Sequence, residues 1–360
     1  MTPLRVPTYQ VIRSIGHQGV AELDLCYHAV FGEEVVRKRF DTLGLEDSIA
    51  YQEPQLLHEI EHPNVARILD AQLGRQGQTR VVDIYMPYYR EGSINDALMA
   101  DYNFSHRQAV ELTRDVLSAL TYIHEQMGFL HRDVKPANIL LVEDRSRALL
   151  TDFGSAARLN AQGLARGSLG RSPLYEPPEA SSADSGIPGD LYATGLCLFE
   201  MLNGRFLYED LSYNSVTTRL RQGRRALPDR MYSHGFPVPQ TLRRIINRAI
   251  SRRPNDRYQN ASSFREALLR TSFINWRKLD SARSIAAWEG EWAVRNGRDH
   301  YRIEVTTRKG SWRASAKRRS TTGTWRQFGL SPAIGQEGET ESLASLFEAT
   351  REQAAQRLPV

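Results

Sequence analysis

A short segment of the chain combines a carboxylate, a cation and an amide at close spacing. In His131-Arg132-Asp133-Val134-Lys135-Pro136-Ala137-Asn138, Lys135 comes two residues after Asp133 and Asn138 comes five residues after it. Asp152, in Asp152-Phe153-Gly154, follows nineteen residues after Asp133. Phosphoryl transfer needs a carboxylate beside the accepting hydroxyl, a cation near the transferred group and oxygen ligands for a metal ion. The spacing therefore predicts a site for that chemistry.

The distribution of lysine supports the same chemistry. Residues 1–275 hold 32 basic side chains, of which only Lys38 and Lys135 are lysines. A lysine ammonium is a compact point charge, whereas the arginine guanidinium is a planar fork. Because this part of the chain otherwise uses arginine, we expect Lys38 and Lys135 to be positions that require an ammonium.

These motifs resemble the catalytic loop and the metal-binding motif of eukaryotic-type serine/threonine protein kinases. The resemblance extends over roughly residues 9–271. It implies an α+β, bilobal protein-kinase fold, with a β-rich N-terminal lobe at 1–86 and a hinge and helical C-terminal lobe at 87–275. By this resemblance Asp133 orients the substrate hydroxyl or accepts its proton, and Lys135 neutralises charge on the transferred phosphoryl group. Asn138 and Asp152 would hold Mg²⁺ (or Mn²⁺) bound to ATP.

A third strand and the helix after it complete the implied phosphate site. Val35-Val36-Arg37-Lys38 resembles the strand whose lysine contacts the α- and β-phosphates. Glu53 is the expected carboxylate partner of Lys38, with Glu59 as the alternative. Pro54 lacks a backbone N–H and disfavours helix at the residue before it. We therefore expect Glu53 in the first turn of a helix or at a kink.

The implied adenine and phosphate contacts lie in two other segments. Gly16-His17-Gln18-Gly19 resembles the glycine-rich loop, although Gln18 and Ala21 replace two of the family's glycines. Taken alone, these residues fit a plain β-hairpin equally well. Met86 corresponds to the gatekeeper, and the hinge would offer the carbonyl of Pro87 and the N–H of Tyr89 to adenine. The ATP-binding residues implied by the resemblance are Ile15, Gly16, Gly19, Lys38, Met86, Pro87 and Tyr89.

The activation segment, which follows Asp152-Phe153-Gly154 and ends at Glu179, is expected to determine substrate specificity and control of activity. Ser172 stands where serine/threonine-specific kinases have a threonine, and it predicts that specificity. One hypothesis is that autophosphorylated Ser168 binds Arg132 and orders the loop. The alternative is a loop that is active without modification.

Three further residues are expected to be structural. Glu179 resembles the glutamate that closes the activation segment, and Arg257 is its expected partner in a buried ion pair. Asp190 begins an apolar segment that resembles the buried helix holding the catalytic loop.

The composition changes near residue 275, which predicts a separate module at 276–360. Residues 276–330 carry 13 basic and 5 acidic side chains, and they include all five tryptophans of the chain. Alternating runs between Trp288 and Phe328 predict a four-stranded antiparallel meander, and residues 342–358 have helical character. We expect the tryptophans to fill the core of this β-meander and helix module.

Basic side chains of the module predict a partner for residues 276–330. We rank docking first, in which this surface binds an acidic protein or folds against the kinase lobes as a regulator. Binding of nucleic acid is a close second. The side chains expected to contact phosphates in the second case are Arg302, Arg308, Lys309, Arg313, Lys317, Arg318, Arg319 and Arg326.

Composition also limits the class of protein. No apolar run reaches eighteen residues, which argues against a transmembrane helix and a membrane partner. Cys26 and Cys197 are the only cysteines, and we expect two free thiols in the reducing cytoplasm. A pseudokinase scaffold and a small-molecule kinase are the alternatives to a protein kinase. Intact Lys38 and Asp133 argue against the first, and the activation segment argues against the second.

Overall fold

The computed structural model describes most of the chain. It covers residues 8–18, 21–43, 46–166, 172–179, 184–207, 211–235, 237–279, 286–294, 297–308, 310–336 and 341–356. The predicted site residues Gly19 and Ser168 lie outside these ranges. Cys26 and Cys197 are free and buried, as predicted. Among the helices in these ranges, none has the length and apolar character needed to cross a membrane.

The N-terminal lobe is built on an antiparallel sheet whose strands run in the order β1-β2-β3-β5-β4. Alternating and β-branched residues form these strands because their side chains pack well on a pleated surface. Val82, Ile84 and Met86 fill the side of the sheet that faces the helices of the lobe. The strands are β1 (Tyr9–Gln18), β2 (Ala21–His28), β3 (Glu33–Asp41), β4 (Asp70–Gln76) and β5 (Thr79–Pro87).

Two consecutive helices, α1 (Asp47–Ala50) and α2 (Gln52–Glu59), lie between β3 and β4 in the chain. Pro54 explains why they are separate: it cannot donate a hydrogen bond to the carbonyl of Ala50, four residues earlier. Because Pro54 lies in the first turn of α2, where backbone donors have no partner inside the helix, it is tolerated there. Glu53 is the second residue of α2, so the prediction that it lies in a first turn is confirmed.

In the described part of the C-terminal lobe, six helices form most of the structure. Ser105 accepts a hydrogen bond from the N–H of Gln108 and caps the N-terminus of α4. The buried residues of α5 run through most of its length, as expected of a helix surrounded by others. The helices are α3 (Ile94–Met99), α4 (His106–Glu125), α5 (Ile187–Asn203), α6 (Tyr213–Arg221), α7 (Gln240–Ala249) and α8 (Ala261–Leu269).

Short strand pairs hold the loops between these helices. The pairs are β6 (Phe129–Leu130) with β9 (Ala157–Arg158), β7 (Ile139–Val142) with β8 (Arg147–Leu150), and β10 (Leu164–Arg166) with β11 (Asp184–Gly186). The first two pairs border the segment from His131 to Asn138 and the Asp152-Phe153-Gly154 motif. They therefore fix where the predicted catalytic residues lie relative to the helices.

The described residues of the C-terminal module form a six-stranded antiparallel sheet covered by one helix. Its strands run in the order β12-β13-β14-β15-β16, and β17 also pairs with β15. Tyr301, Ile303 and Val305 are buried on one face, while Arg302 and Glu304 lie on the other. The elements are β12 (Asn275–Leu279), β13 (Ala286–Val294), β14 (Gly297–Arg308), β15 (Ser311–Ser320), β16 (Arg326–Gln327), β17 (Ala333–Gln336) and α9 (Glu341–Ala355).

Two expectations for this module were wrong. The sheet has two strands more than the predicted four, because β12 pairs along β13 and β17 pairs with the start of β15. The tryptophans at 276, 288, 292 and 312 are buried, but Trp325 is only half-buried and lies on the polar face. There the guanidinium groups of Arg302 and Arg319 lie 4.6 and 4.8 Å from its ring centroid. Two cations therefore take the place of apolar neighbours around Trp325.

The module contacts the C-terminal lobe at two helix N-termini. The N–H of Arg107, at the start of α4, donates to Asn275 Oδ1 at 2.8 Å. The N–H of Gln240, the first residue of α7, donates to Glu348 Oε1 of α9 at 3.0 Å. Each contact satisfies a backbone donor that has no partner inside its own helix. The module thereby caps two helices of the lobe beside it.

Candidate active site

Asp190 fixes the predicted catalytic loop by hydrogen bonds to its backbone. This side chain is 4% exposed in the first turn of α5. Its carboxylate accepts hydrogen bonds from the backbone N–H groups of His131 and Arg132 and from His124 Nε2, each at 2.8 Å. Burial alone would raise the pKa of Asp190, but the hydrogen bond from His124 and the nearby imidazoles lower it. A charged Asp190 thus fixes the backbone just before Asp133.

Two non-glycine residues of the site have left-handed backbone conformations. Arg132 has a φ of 63° and Asp152 has a φ of 67°. Such conformations cost on the order of 1–3 kcal/mol each and persist only where surrounding contacts enforce them. The bond from the Arg132 N–H to Asp190 is one such contact. No motif in the sequence indicates these dihedral angles.

Asp133, Lys135 and Asn138 lie together, as their spacing suggested they would. Lys135 Nζ is 2.7 Å from Asp133 Oδ2 and 2.8 Å from the hydroxyl of Ser172. Asn138 Nδ2 donates to the backbone carbonyl of Asp133 at 2.8 Å and to its Oδ2 at 3.0 Å. Asp133 is 6% exposed, so its carboxylate is held in one orientation by these donors.

Lys38 contacts two carboxylates. Its Nζ is 2.7 and 3.0 Å from the two oxygens of Glu53 and 2.6 Å from Asp152 Oδ1. Burial alone would lower the pKa of Lys38, but Glu53 and Asp152 outweigh it and raise the pKa above its ordinary value. Glu59 is exposed at the end of α2, so the alternative pairing with Glu59 does not occur. Lys38 therefore joins the N-terminal lobe to the Asp152 motif.

Asp152 and Asn138 offer oxygen ligands in the same place. Asn138 Nδ2 lies 3.4 Å from Asp152 Oδ2. Burial would raise the pKa of Asp152, but Lys38 outweighs it and lowers the pKa, which keeps the carboxylate charged. No group of three or more His, Cys, Asp or Glu side chains in the described ranges could hold a metal ion. A carboxylate and an amide fit Mg²⁺, which binds few protein ligands and takes phosphate oxygens for the rest.

A cleft between the lobes adjoins these residues. Its volume is about 490 Å³, within the range of small-ligand sites. Gly16, which has a φ of 130°, lies at its roof. A side chain would be strained at that φ, so glycine suits this position. Predicted nucleotide contacts that line the cleft are Ile15, Gly16, Met86, Pro87 and Tyr89.

A second pocket lies on the other side of Asp133. Asp133, Ser172, Tyr175 and Gly189 contribute to its wall. Tyr175 donates its hydroxyl to Glu200 Oε2 at 2.7 Å, and Glu200 is 1% exposed on α5. Burial raises the pKa of Glu200. Glu200 was not predicted as a site residue, although a single glutamate within a long apolar helix indicates a buried polar contact.

Arg257 and Glu179 form the ion pair that the resemblance implied. Both terminal nitrogens of Arg257 donate to the Glu179 carboxylate at 2.7 Å. The remaining donors bind the carbonyls of Ser251, Pro188 and Arg252. Arg257 is 1% exposed, and every N–H donor of its buried guanidinium group has an acceptor. This pair fixes the end of the activation segment against α5.

Two carbonyls just after the Asp152 motif accept hydrogen bonds from distant side chains. Arg132 Nε donates to the carbonyl of Ser155, and Gln52 Nε2 donates to the carbonyl of Ala156, each at 2.6 Å. Ser168, the predicted phosphate partner of Arg132, lies outside the described residues, so that hypothesis stays a prediction. Sequence reasoning missed Gln52, because nothing local to it indicates a contact 104 residues away.

Comparisons with known proteins agree with this geometry. A family model described as "Protein kinase domain" matches residues 9–273. Serine/threonine-protein kinase PrkC of Bacillus subtilis is 29% identical over 271 residues, which cover 74% of this chain and 40% of the relative. Serine/threonine-protein kinase PksC of Streptomyces coelicolor is 26% identical over 276 residues, which cover 73% of this chain and 49% of the relative. The matched region thus spans less than half the length of either relative.

Proposed function

Because the chain belongs to the protein kinase domain family, we propose that it transfers the γ-phosphate of ATP to serine or threonine hydroxyls of proteins. One observation carries the proposal: Lys38 Nζ lies within 3.0 Å of Glu53 and within 2.6 Å of Asp152. This contact brings the phosphate-binding lysine and the metal-binding carboxylate together across the cleft. The named relatives, which are serine/threonine-protein kinases, support the same conclusion.

The proposal assigns a role to each charged group of the site. Lys38 would bind the α- and β-phosphates, with Glu53 holding its ammonium in place. Asp133 would orient the acceptor hydroxyl and take its proton, and Lys135 would neutralise charge on the phosphoryl group as it moves. Asn138 and Asp152 would hold Mg²⁺ (or Mn²⁺), which neutralises the phosphate oxygens and orients them for in-line attack. Adenine would lie against Met86, Pro87 and Tyr89.

Ser172 supports serine/threonine specificity. Its hydroxyl accepts a hydrogen bond from Lys135, which also contacts Asp133. The end of the activation segment is thereby held close to the carboxylate that would meet the acceptor.

The alternative is a pseudokinase scaffold that binds partners without chemistry. Incubation with γ-labelled ATP, Mg²⁺ and a general protein substrate separates the two functions. We expect label on serine or threonine with the unmodified chain. Asp133→Asn, which keeps the shape of the side chain and removes the base, should reduce the rate at least about 100-fold. No transfer by the unmodified chain with either Mg²⁺ or Mn²⁺ would leave the scaffold as the function.

Control by Ser168 forms a separate part of the proposal. In one form, Ser168 is phosphorylated by the enzyme itself and the phosphate binds Arg132. In the other, the loop is active without modification. Ser168→Ala decides between them: a large loss of activity supports the first form, and full activity supports the second.

For residues 276–330 we propose docking of an acidic protein surface rather than nucleic acid. Most of the basic side chains with a described position are already paired inside the sheet. Arg302 and Arg319 contact Glu289, Lys317 contacts Glu304, and Arg318 contacts the buried Asp299. Strong binding to a phosphate backbone requires cations that exchange counterions for phosphates. Cations already paired with carboxylates contribute less to that exchange.

Gel shifts with DNA and RNA at low and high salt check this choice. We expect no salt-dependent shift with the full chain, whereas binding at low salt that weakens steeply with added salt would favour nucleic acid. Arg313 and Arg326 are both exposed, and an Arg313→Glu, Arg326→Glu double variant tests their part in either interaction.

A further inference from the structure

Helix α2 carries Glu53, yet its N-terminal end has little support from its own sequence. Tyr51, the residue before the helix, makes no side-chain cap. Pro54 interrupts the backbone ladder that would otherwise join α2 to α1. A helix of eight residues is too short to be stable alone. Its position, and with it the position of Glu53, must therefore come from contacts with other parts of the chain.

Gln52, the first residue of α2, makes such a contact. Its Nε2 donates to the backbone carbonyl of Ala156 at 2.6 Å. Because a carbonyl can only accept, the contact fixes which end of the Gln52 amide points at Ala156. The N–H of Ala156 in turn donates to the carbonyl of Phe153 at 2.9 Å, so this part of the chain is a defined turn.

Two links therefore connect α2 with the segment that starts at Asp152. The first runs from Glu53 through Lys38 to Asp152. The second runs from Gln52, beside Glu53, to Ala156, four residues after Asp152. Together they close a ring, so α2 cannot rotate Glu53 away from Lys38 without breaking the second link. The first link alone fixes the Glu53 carboxylate, whereas the second also fixes the N-terminal end of α2.

We propose that Gln52 is a positioning residue that keeps Glu53 in contact with Lys38 through its bond to Ala156. This inference rests on the proposed kinase function. The link joins a neutral amide to a backbone carbonyl and involves no phosphate. It therefore holds the first part of the activation segment by a route separate from any phosphate on Ser168.

Three variants test this role. Gln52→Ala removes the donor. Gln52→Glu keeps the shape but presents a carboxylate to the carbonyl at neutral pH, and it can donate again only when protonated. Gln55→Ala is the matched control, because Gln55 lies on the exposed side of the same helix.

We expect Gln52→Ala to lower kcat/KM for ATP about tenfold, as for loss of one partly buried hydrogen bond, and Gln55→Ala to have no effect. The activity of Gln52→Glu, divided by that of the unmodified chain, should rise as pH falls from 8 to 5.5, because protonation restores the donor. A purely structural role would leave that ratio constant. Equal kcat/KM in Gln52→Ala and Gln55→Ala, or a ratio independent of pH, would overturn the proposal.

Hydrogen–deuterium exchange of the α2 backbone amides separates this inference from the proposed function. Exchange should be faster in Gln52→Ala than in Gln55→Ala, whether or not the protein transfers phosphate. Absence of transfer by the unmodified chain would refute the kinase function. Equal exchange in the two variants would refute the link between α2 and Ala156.

Discussion

At the scale of single residues, the central feature is a buried lysine shared by two carboxylates. Lys38 is 4% exposed, so it depends on Glu53 and Asp152 for its charge. With both partners present, the ammonium stays between them and near the cleft. If Glu53 loses its charge, Asp152 alone attracts the ammonium, and Lys38 moves away from the place where phosphates would bind.

Glu53→Gln is expected to reduce kcat/KM for ATP about 100-fold, the loss that a misplacement of about 1 Å causes in many enzymes. Steady-state kinetics with varied ATP measures it. Glu59→Gln serves as the control, since Glu59 is exposed at the other end of α2 and lies away from Lys38. A similar loss in both variants would contradict the role of the Glu53–Lys38 pair.

Part of the site was predictable because its residues are close in sequence. Asp133, Lys135 and Asn138 lie within six consecutive residues, so a single loop conformation brings them together. Glu200 and Gln52 were missed for the opposite reason. Their partners, Tyr175 and Ala156, lie 25 and 104 residues away, and only the folded chain brings each pair into contact.

At the scale of elements, helix α5 lies at the centre of the C-terminal lobe and fits closely against α7. A Cβ on Gly195 would lie 2.7 Å from the Cβ of Ala249 and 2.9 Å from Cγ2 of Ile250. Glycine is usually unfavourable inside a helix. Here its lack of a side chain allows the two helices to approach.

Gly195→Ala should therefore destabilise the fold by about 1–3 kcal/mol, although alanine favours helices. Gly189→Ala, in the same helix, is the control. Its Cβ would meet Pro177 at 3.6 Å, an ordinary contact, so we expect no loss of stability there. Urea unfolding of the two variants measures the difference, and equal stabilities would contradict the close packing of α5 on α7.

Elements were predictable where a pattern was strong and local. The alternating runs between Trp288 and Phe328 predicted strands here, and in β14 the alternation places Tyr301, Ile303 and Val305 on the buried face. In contrast, Asn275–Leu279 lacks a clear alternation, and it is a strand only because β13 pairs along it. Ala333–Gln336 lies in a Gly- and Pro-containing stretch, and it is a strand because Trp312 packs tightly over Gly335, where a Cβ would lie 2.3 Å from the ring.

At the scale of the whole molecule, a buried histidine lies where the C-terminal module meets the large lobe. His106, the first residue of α4, is 3% exposed and its Nδ1 lies 3.4 Å from the carbonyl of Ile274. Burial lowers the pKa of His106 from 6.5 to about 4. The unfolded chain therefore takes up this proton first as the pH falls. The contribution of neutral His106 to the free energy of unfolding is therefore complete above pH 6.5, and it is lost as the pH falls from 6.5 to 4.

The decline that His106 causes should approach about 3 kcal/mol at pH 4, at about 1.4 kcal/mol for each pKa unit. His106→Gln removes the titrating group and keeps a hydrogen-bond donor. We expect the two proteins to lose different amounts of stability between pH 7.5 and pH 5, with the larger loss in the unmodified chain. Urea unfolding at both pH values measures this, and identical losses would show that His106 does not titrate there.

The position of α5 has a consequence for precision during thermal motion. This one helix holds the loop of Asp133 through Asp190 and the pocket wall of Tyr175 through Glu200. A small displacement of the helix carries both attachments in the same direction. The gap between them, where an acceptor hydroxyl would enter, then changes far less than either side moves. The separation between Asp133 and Tyr175 is thereby less sensitive to movement of α5 than the position of either residue.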